Sequence, residues 1–262
     1  MVKVKHEKPR GVLNVRETDG LRRYWPSDDL APFIEHYWIV RWNLAEPQTV
    51  ETLPHPSVHM VLERNRSQVG GVMHGRFSRT LEGEGRVIGT KFRPGAFRAF
   101  VGRAVIAFSD RRIPLHQVFD SIAFEREALA QDDDTSAIAV IEMFLRARHP
   151  VASESMLLAG RIVARVAENR DITRVEQLTS AFAITTRQLQ RLFREYVGVT
   201  PKWVIQRYRL IEAADRLASA PLADFSRLAL DLGYSDQAHF IRDFRKLVGR
   251  PPAGYARSIQ RN

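Results

Sequence analysis

Cysteine is absent from the 262-residue chain. That one absence excludes disulfide staples, thiolate nucleophiles, cysteine-ligated zinc and thiol redox sensing. No apolar run approaches the length needed to cross a bilayer. The N-terminal MVKVKHEKPR is basic but has no apolar stretch behind it, so it does not read as a secretory signal. A cytoplasmic protein without membrane contact is the expectation. No phosphate loop, dinucleotide fingerprint or partnered nucleophile occurs, so no cofactor is expected. The low hydrophobicity that marks disorder is missing too: 44% of residues are hydrophobic and 9% aromatic.

Charge is abundant and unevenly placed. The net charge is +10, from 40 Lys and Arg against 30 Asp and Glu. Residues 1–155 hold 22 basic and 20 acidic side chains, a net of +2, and residues 156–262 hold 18 and 10, a net of +8. Nearly all of the C-terminal excess is arginine, which suits bidentate contact with phosphate and guanine. Charge alone is also compatible with a solvated basic surface, so a motif must decide.

The N-terminal part reads as strands. Residues 33–44, 58–63, 86–92 and 104–109 are short and rich in β-branched and aromatic residues. Gly70-Gly71, Gly83, Gly85 and Pro94-Gly95 read as turn residues between them. Such spacing predicts a small sandwich or barrel. From Ser121 the period becomes helical. Ile138, Ile141, Phe144 and Leu145 share one side of a helix over 136–149, with the acidic run at 131–134 at its N-terminus, where the helix dipole favours negative charge. That apolar side fits either a dimer surface or packing on the chain's own barrel. Residues 150–155 read as a linker, and almost everything beyond as helix.

A repeat emerges at an offset of 51 residues, where Leu189 falls on Phe240, Arg191 on Arg242, Phe193 on Phe244, Gly198 on Gly249 and Pro201 on Pro252. Each copy is a short helix, a tight break and a second helix with a polar N-terminal face, which is a helix-turn-helix layout. Phe193, Phe244 and Tyr255 read as core. The helix over 201–220 starts with a proline suited to a first helical position and would join the copies rigidly.

TTRQLQRLFREYVGVTPKWVIQRYRLIEAA and FSRLALDLGYSDQAHFIRDFRKLVGRPPAGYAR together resemble the DNA-binding domain of AraC/XylS-type transcriptional regulators. Thr179, Ala183 and Thr185 depart from that family's usual Ala, Gly and Ser, and Ala183 must serve a turn without glycine's freedom. YWPSDDLAPFIEHYWIVRW and GTKFRPGAFRAFVG resemble the N-terminal domains of one branch of the family, which implies a cupin-like sensor or dimerisation module. The fold expected is thus α+β and multidomain: a β-rich N-terminal domain (1–120), a helical connector (121–155) and an all-α double helix-turn-helix domain (156–262), with a fragment of residues 151–262 expected to fold alone and bind DNA.

Arg187, Gln190, Arg191 and Arg194 share one face of the first reading helix, about 185–197, opposite Leu189, Leu192 and Phe193. A plain alternative is a solvated face with Arg191 paired to Glu195. By the resemblance, Arg187, Gln190 and Arg191 are base-facing. In the second helix, about 235–247, Gln237, His239 and Arg242 project from the first turns, with Ser235 as N-cap. Phosphate contacts are expected from Thr186, Arg194, Lys202, Arg209, Ser235, Arg245 and Lys246.

His36, His55, His59 and His74 tempt a metal reading, but Pro56 and the strand-like run after it separate His55 from His59, so no metal site is expected. Trp38 and Trp42, with Arg93 or Arg98 for an anion, are effector-site candidates. The partners implied are double-stranded DNA, a small-molecule effector, RNA polymerase and a second copy of the chain. Two function classes fit: a transcription factor modulated by a small molecule or by oligomerisation, and an enzyme with a DNA-binding appendage. The motifs favour the first, a non-enzyme. An alkyl-acceptor repair protein would need a cysteine.

Overall fold

The computed structural model describes residues 12–14, 20–219 and 224–260. Seven strands, β1 (Val12–Asn14), β2 (Leu21–Tyr24), β3 (Ile34–Thr52), β4 (His59–Glu63), β5 (Gln68–Gly70), β6 (Phe77–Phe92) and β7 (Arg112–Pro114), form one antiparallel sheet. The order is β1-β3-β6-β4-β5-β7, with β2 also on β3. The strands thus make a single sheet, not the two of a sandwich.

The strands expected at 33–44 and 86–92 are the inner halves of β3 and β6. Gly83 and Gly85 read as turn residues, yet the β3–β6 pair continues through them. The register shifts between Leu44 and Gln48, so the bulge absorbs Pro47, and Gly83 opposite adopts φ 56°. Gly83 and Gly85 therefore lie inside β6, not in turns. A Cβ on Gly85 would lie 2.1 Å from the Trp42 ring, and one on Gly89 would lie 1.9 Å from Trp38. These glycines leave room for two cross-strand indoles to lie on the sheet.

Residues 104–109 are not a strand either. Val105–Phe108 is a 3-10 turn. Val105 and Phe108, three apart, are 1% and 0% exposed, while Ile106 is 40% exposed. An alternating strand would have buried Ile106 together with Phe108.

Helices α1 (Arg98–Val101), α2 (Ile122–Leu129) and α3 (Asp134–Arg146) complete the N-terminal part. Asp133 caps α3 by accepting the Ser136 N–H at 2.9 Å. Asp134 turns inward and takes bonds from Tyr24 Oη (2.7 Å), Arg41 Nη2 (2.9 Å) and Arg86 Nη2 (3.2 Å). Burial alone would raise its pKa, but the Tyr24 and Arg41 bonds and the Arg41 and Arg86 charges hold it below the usual aspartate value. Ile138, Ile141 and Leu145 are buried in the chain's own core, so that side of α3 is not a free dimer surface.

The rest is helical: α4 (Glu154–Glu168), α5 (Val175–Phe182), α6 (Thr186–Leu192), a π turn (Phe193–Val197), α7 (Pro201–Ser219), α8 (Phe225–Asp231), α9 (Gln237–Val248) and α10 (Pro252–Gln260). No helix among the described residues is long and apolar enough to cross a membrane. One apolar core runs without a break from Tyr24 in the sheet to Ile205 in α7, taking in Leu189 and Phe193 of the first unit. A second gathers Leu210, Leu228, Phe240, Phe244 and Tyr255 of the second unit with Leu53 from the end of β3. The chain's linker at 150–155 is therefore not a break in packing, which weighs against residues 151–262 folding alone.

Between α5 and α6 the chain turns at Ala183, which adopts φ 50°, ψ 44°. This left-handed conformation crowds a Cβ. Ala183→Gly is expected to raise stability by about 0.5–1 kcal/mol, glycine's relief being partly offset by its freer unfolded state. Urea unfolding of the two proteins checks this, and an unchanged or lower midpoint would contradict it.

Candidate nucleic-acid interface

Each reading helix is fixed at its start by a side chain and at its end by a glycine. In the first unit Thr185 and Gln188 form a reciprocal capping box, with Gln188 N to Thr185 Oγ1 at 3.2 Å and Thr185 N to Gln188 Oε1 at 2.8 Å. The T-x-x-Q spacing made this readable in the sequence. In the second unit Asp236, not Ser235, is the N-cap: its carboxylate accepts the His239 N–H at 2.7 Å. That bond holds the Asp236 carboxyl below its ordinary pKa. Ser235 donates to the Asp236 carboxylate at 3.2 Å. The extended backbone of Asp236 (φ −154°, ψ 161°) leaves Gln237 to open the helix.

From these starts the two faces separate. Leu189, Phe193, Phe240 and Phe244 are each 0% exposed. Thr186, Arg187, Gln190, Arg191 and Arg194 of the first unit are exposed, as are Ser235, His239, Arg242, Arg245 and Lys246 of the second; Gln237 is half-buried. Among the described residues, no ion pair or side-chain hydrogen bond engages Arg187, Arg191, Arg194, Lys202, Arg242, Arg245 or Lys246. The alternative partner for Arg191, Glu195, instead faces Arg98 at 3.9 Å. Several arginines of the N-terminal part close on carboxylates, as in Arg79–Glu63 (2.5 Å) and Arg146–Asp29 (2.7 Å). These seven exposed cations lie on the two reading helices and at the start of α7.

Two expected contacts stand differently. The Arg209 guanidinium lies 4.1 Å from the Tyr234 ring centre, and its Nε donates to the Leu232 carbonyl. Burial lowers its pKa. Arg209, expected at phosphate, is thus engaged with the turn of the second unit. His239 is half-exposed and lies edge-on to Tyr234 (5.4 Å) and 3.4 Å from Asp243, which accepts from Gln206 at 2.5 Å.

The N-terminal part grips both units at equivalent points. Gly198 and Gly249 end the two reading helices at φ 90° and 84°. Ser109 Oγ donates to the Gly198 carbonyl at 2.5 Å. Arg76 Nη1 donates to the Val248 carbonyl at 3.1 Å and pairs with Glu51 (3.1 Å), which also holds Arg250 at 3.0 Å. A Cβ on Gly249 would lie 2.4 Å from Arg76, and one on Gly198 2.8 Å from Ser109. Between them Arg207, 2% exposed, donates to the carbonyls of Met73 (3.2 Å) and His74 (2.6 Å) and lies under Trp203. Burial pushes its pKa down to about 10, which leaves it charged at neutral pH. No local sequence signal marks these contacts, because those that join the two parts of the chain link residues 89 to 199 positions apart.

The four effector candidates do not converge. Trp38 and Trp42 share one face of β3, where Trp38 Nε1 donates to His59 at 3.3 Å and Trp42 Nε1 to the Glu82 carbonyl at 3.1 Å. Arg93 donates to the Ala31 carbonyl at 2.7 Å, and Arg98 lies 5.1 Å over Tyr196 of the first unit. The histidines are engaged separately: His36 beside Glu35, His55 against Tyr208 and His74 on Asp110 at 2.6 Å. Among the described residues no group of three metal-ligating side chains forms.

Residues 178–258 match the family described as Helix-turn-helix domain, and residues 22–114 the family described as Domain of unknown function (DUF6597). The C-terminal part thus matches a helix-turn-helix family model of the AraC type. It is similar to the HTH-type transcriptional activator RhaS of Pectobacterium carotovorum, 33% identical over 75 residues, which are 29% of this chain and 26% of RhaS. It is also similar to the probable transcription factor PqrA of Proteus vulgaris, 36% identical over 67 residues, 26% of this chain and 54% of PqrA. The chain thus spans less than two thirds of either relative. The solved structure of ToxT from Vibrio cholerae O395 aligns with a TM-score of 0.37 and 12% identity, over 85% of this chain and 97% of ToxT.

Lys202 and Arg209 separate a surface role from a structural one. Lys202→Ala should leave unfolding unchanged and weaken DNA binding, whereas Arg209→Ala should lower stability by about 1–3 kcal/mol by unpairing the buried Leu232 carbonyl. Thermal unfolding and DNA titration on both variants check this; a fully stable Arg209→Ala protein would return Arg209 to the surface set.

Proposed function

We propose that this protein is a sequence-specific DNA-binding transcriptional regulator. It sets α6 with its π turn, and α9, into successive major grooves. The observation that carries the reading is the set of exposed, uncommitted cations at matching positions of two linked reading helices. Arg187, Gln190 and Arg191 read one half of the site, and Gln237, His239 and Arg242 the other. Thr186, Arg194, Lys202, Ser235, Arg245 and Lys246 contact phosphate. The half-sites lie about one helical turn, roughly 34 Å, apart, and α7 keeps them in register. Its work is binding and not catalysis.

Arg187→Ala or Gln190→Ala should relax base preference in one half of the site, and Gln237→Ala or Arg242→Ala in the other, each by about 1–3 kcal/mol. Lys246→Ala should weaken all sequences alike and lessen the salt dependence. Selection of bound DNA from a randomised pool, run with each full-length variant, is the measurement. Variants that bind less but keep the parental preference would mean docking on backbone alone.

The N-terminal domain modulates this binding, in response to a small molecule or through a second copy of the chain. The grip on Gly198 and Gly249 supports the reading, because a change in the sheet domain reaches both reading helices through it. Trp38 and Trp42 remain on the effector-facing side of this proposal; Arg93 and Arg98 serve the fold and the contact with the first unit. Arg76→Ala should alter affinity for a two-half site several-fold more than affinity for an isolated half-site, because it frees one reading helix relative to the other. Titration of both DNAs decides it, and equal effects on the two would remove the grip from the account.

A further inference from the structure

Resting on that DNA-reading role, we infer that Ser226 is a specificity-positioning residue: it orients the amide of Gln237 so that its N–H₂ end faces the DNA. Ser226 is the second residue of α8, and its hydroxyl donates to Gln237 Oε1 at 2.8 Å. Gln237 is the first residue of α9, where helix-turn-helix proteins concentrate their base contacts.

Ser226 has no other task that would account for its hydroxyl. The cap of α8 is made by Asp224, whose carboxylate accepts the backbone N–H groups of Ser226 at 2.8 Å and Arg227 at 3.2 Å. Those bonds survive without the serine side chain. The hydroxyl is exposed and reaches across the turn to the neighbouring helix.

A free glutamine presents either end of its amide. One end donates, to purine N7, guanine O6 or thymine O4; the other accepts, from adenine N6 or cytosine N4. With Oε1 tied to Ser226, Nε2 is the outward end. The acceptor-rich edge of a base pair is then satisfied, and the cytosine amino group meets a donor. The bond also removes the search among side-chain rotamers before DNA arrives, which favours one target over its alternatives. The first unit has no equivalent: the residues 51 positions earlier are Val175 and Thr186, and valine has no hydroxyl to donate.

The test is selection from randomised DNA with the full chain as wild type, Gln237→Ala, Ser226→Ala, Ser226→Thr and the Ser226→Ala, Gln237→Ala double variant. Gln237→Ala should flatten the preference at one base pair. Ser226→Ala should relax preference at that same base pair roughly 3- to 10-fold, the worth of one hydrogen bond, with an unchanged salt slope. Ser226→Thr, which keeps the hydroxyl, should retain the wild-type preference, and the double variant should match Gln237→Ala alone. Ser226→Ala with wild-type preference, a uniform loss across all sequences, or Ser226→Thr behaving as Ser226→Ala would each overturn the inference. If Gln237→Ala itself alters no base preference, the reading role of α9 fails and this positioning role with it, a result distinct from failure at Ser226 alone.

Discussion

The constraint on which this structure turns is the pairing of a left-handed glycine with a contact from the sheet domain at the end of each reading helix. Gly198 and Gly249 are the positions where the chain leaves a helix and must reverse. Each is also a place where a side chain of the N-terminal part closes on the helix end, Ser109 at Gly198 and the Arg76 guanidinium at Gly249. Backbone freedom and close approach thus coincide at the same residue, twice. Because the two glycines are repeat-equivalent, the sheet domain holds the two units in an equivalent way. Long α7 sets their spacing, and the grip sets their tilt.

Burial around that grip is high-stakes. Arg207 brings a charge into the interface without a carboxylate bonded to it; its Nη2 donates to the carbonyls of Met73 and His74 and its guanidinium lies against the Trp203 ring, while Nη1 is buried without a hydrogen-bond partner among the described residues. A buried charge of this kind is costly unless its geometry is kept, so the surfaces cannot slide in small steps without losing those bonds. The shared core from Tyr24 to Ile205 adds the non-directional part of the same attachment. The first unit is more deeply tied to the sheet than the second, whose core takes Leu53 of β3 but is otherwise mostly its own.

The surface division follows from this economy of partners. In the N-terminal part, arginines close on carboxylates: Arg41 and Arg86 on Asp134, Arg79 on Glu63, Arg146 on Asp29. On the reading helices the carboxylates are engaged elsewhere: Glu195 faces Arg98, Asp236 caps α9 and Asp243 stands near His239. Free arginine next to a capped helix start is an arrangement that gains most from an external polyanion. The capping groups, Thr185 with Gln188 and Asp236, fix the first turns from which the exposed polar side chains project.

The sequence by itself determined the helical half. Its repeat, glycine breaks and apolar spacing located the helices of both units, because those signals act within a few residues of one another. The uneven charge and the missing cysteines bounded the chemistry in the same local way. Local signals failed where a partner distant in the chain decided the outcome. Gly83 and Gly85 became strand because Trp42 and a bulge across the sheet required small residues there. Residues 105–108 became a 3-10 turn because the core of the first unit, not alternating burial, received Val105 and Phe108. Arg209 turned from solvent to Tyr234 because the second unit folds back on α7. Only tertiary structure could tell a committed arginine from a free one, since the difference lies wholly in whether a long-range acceptor reaches it.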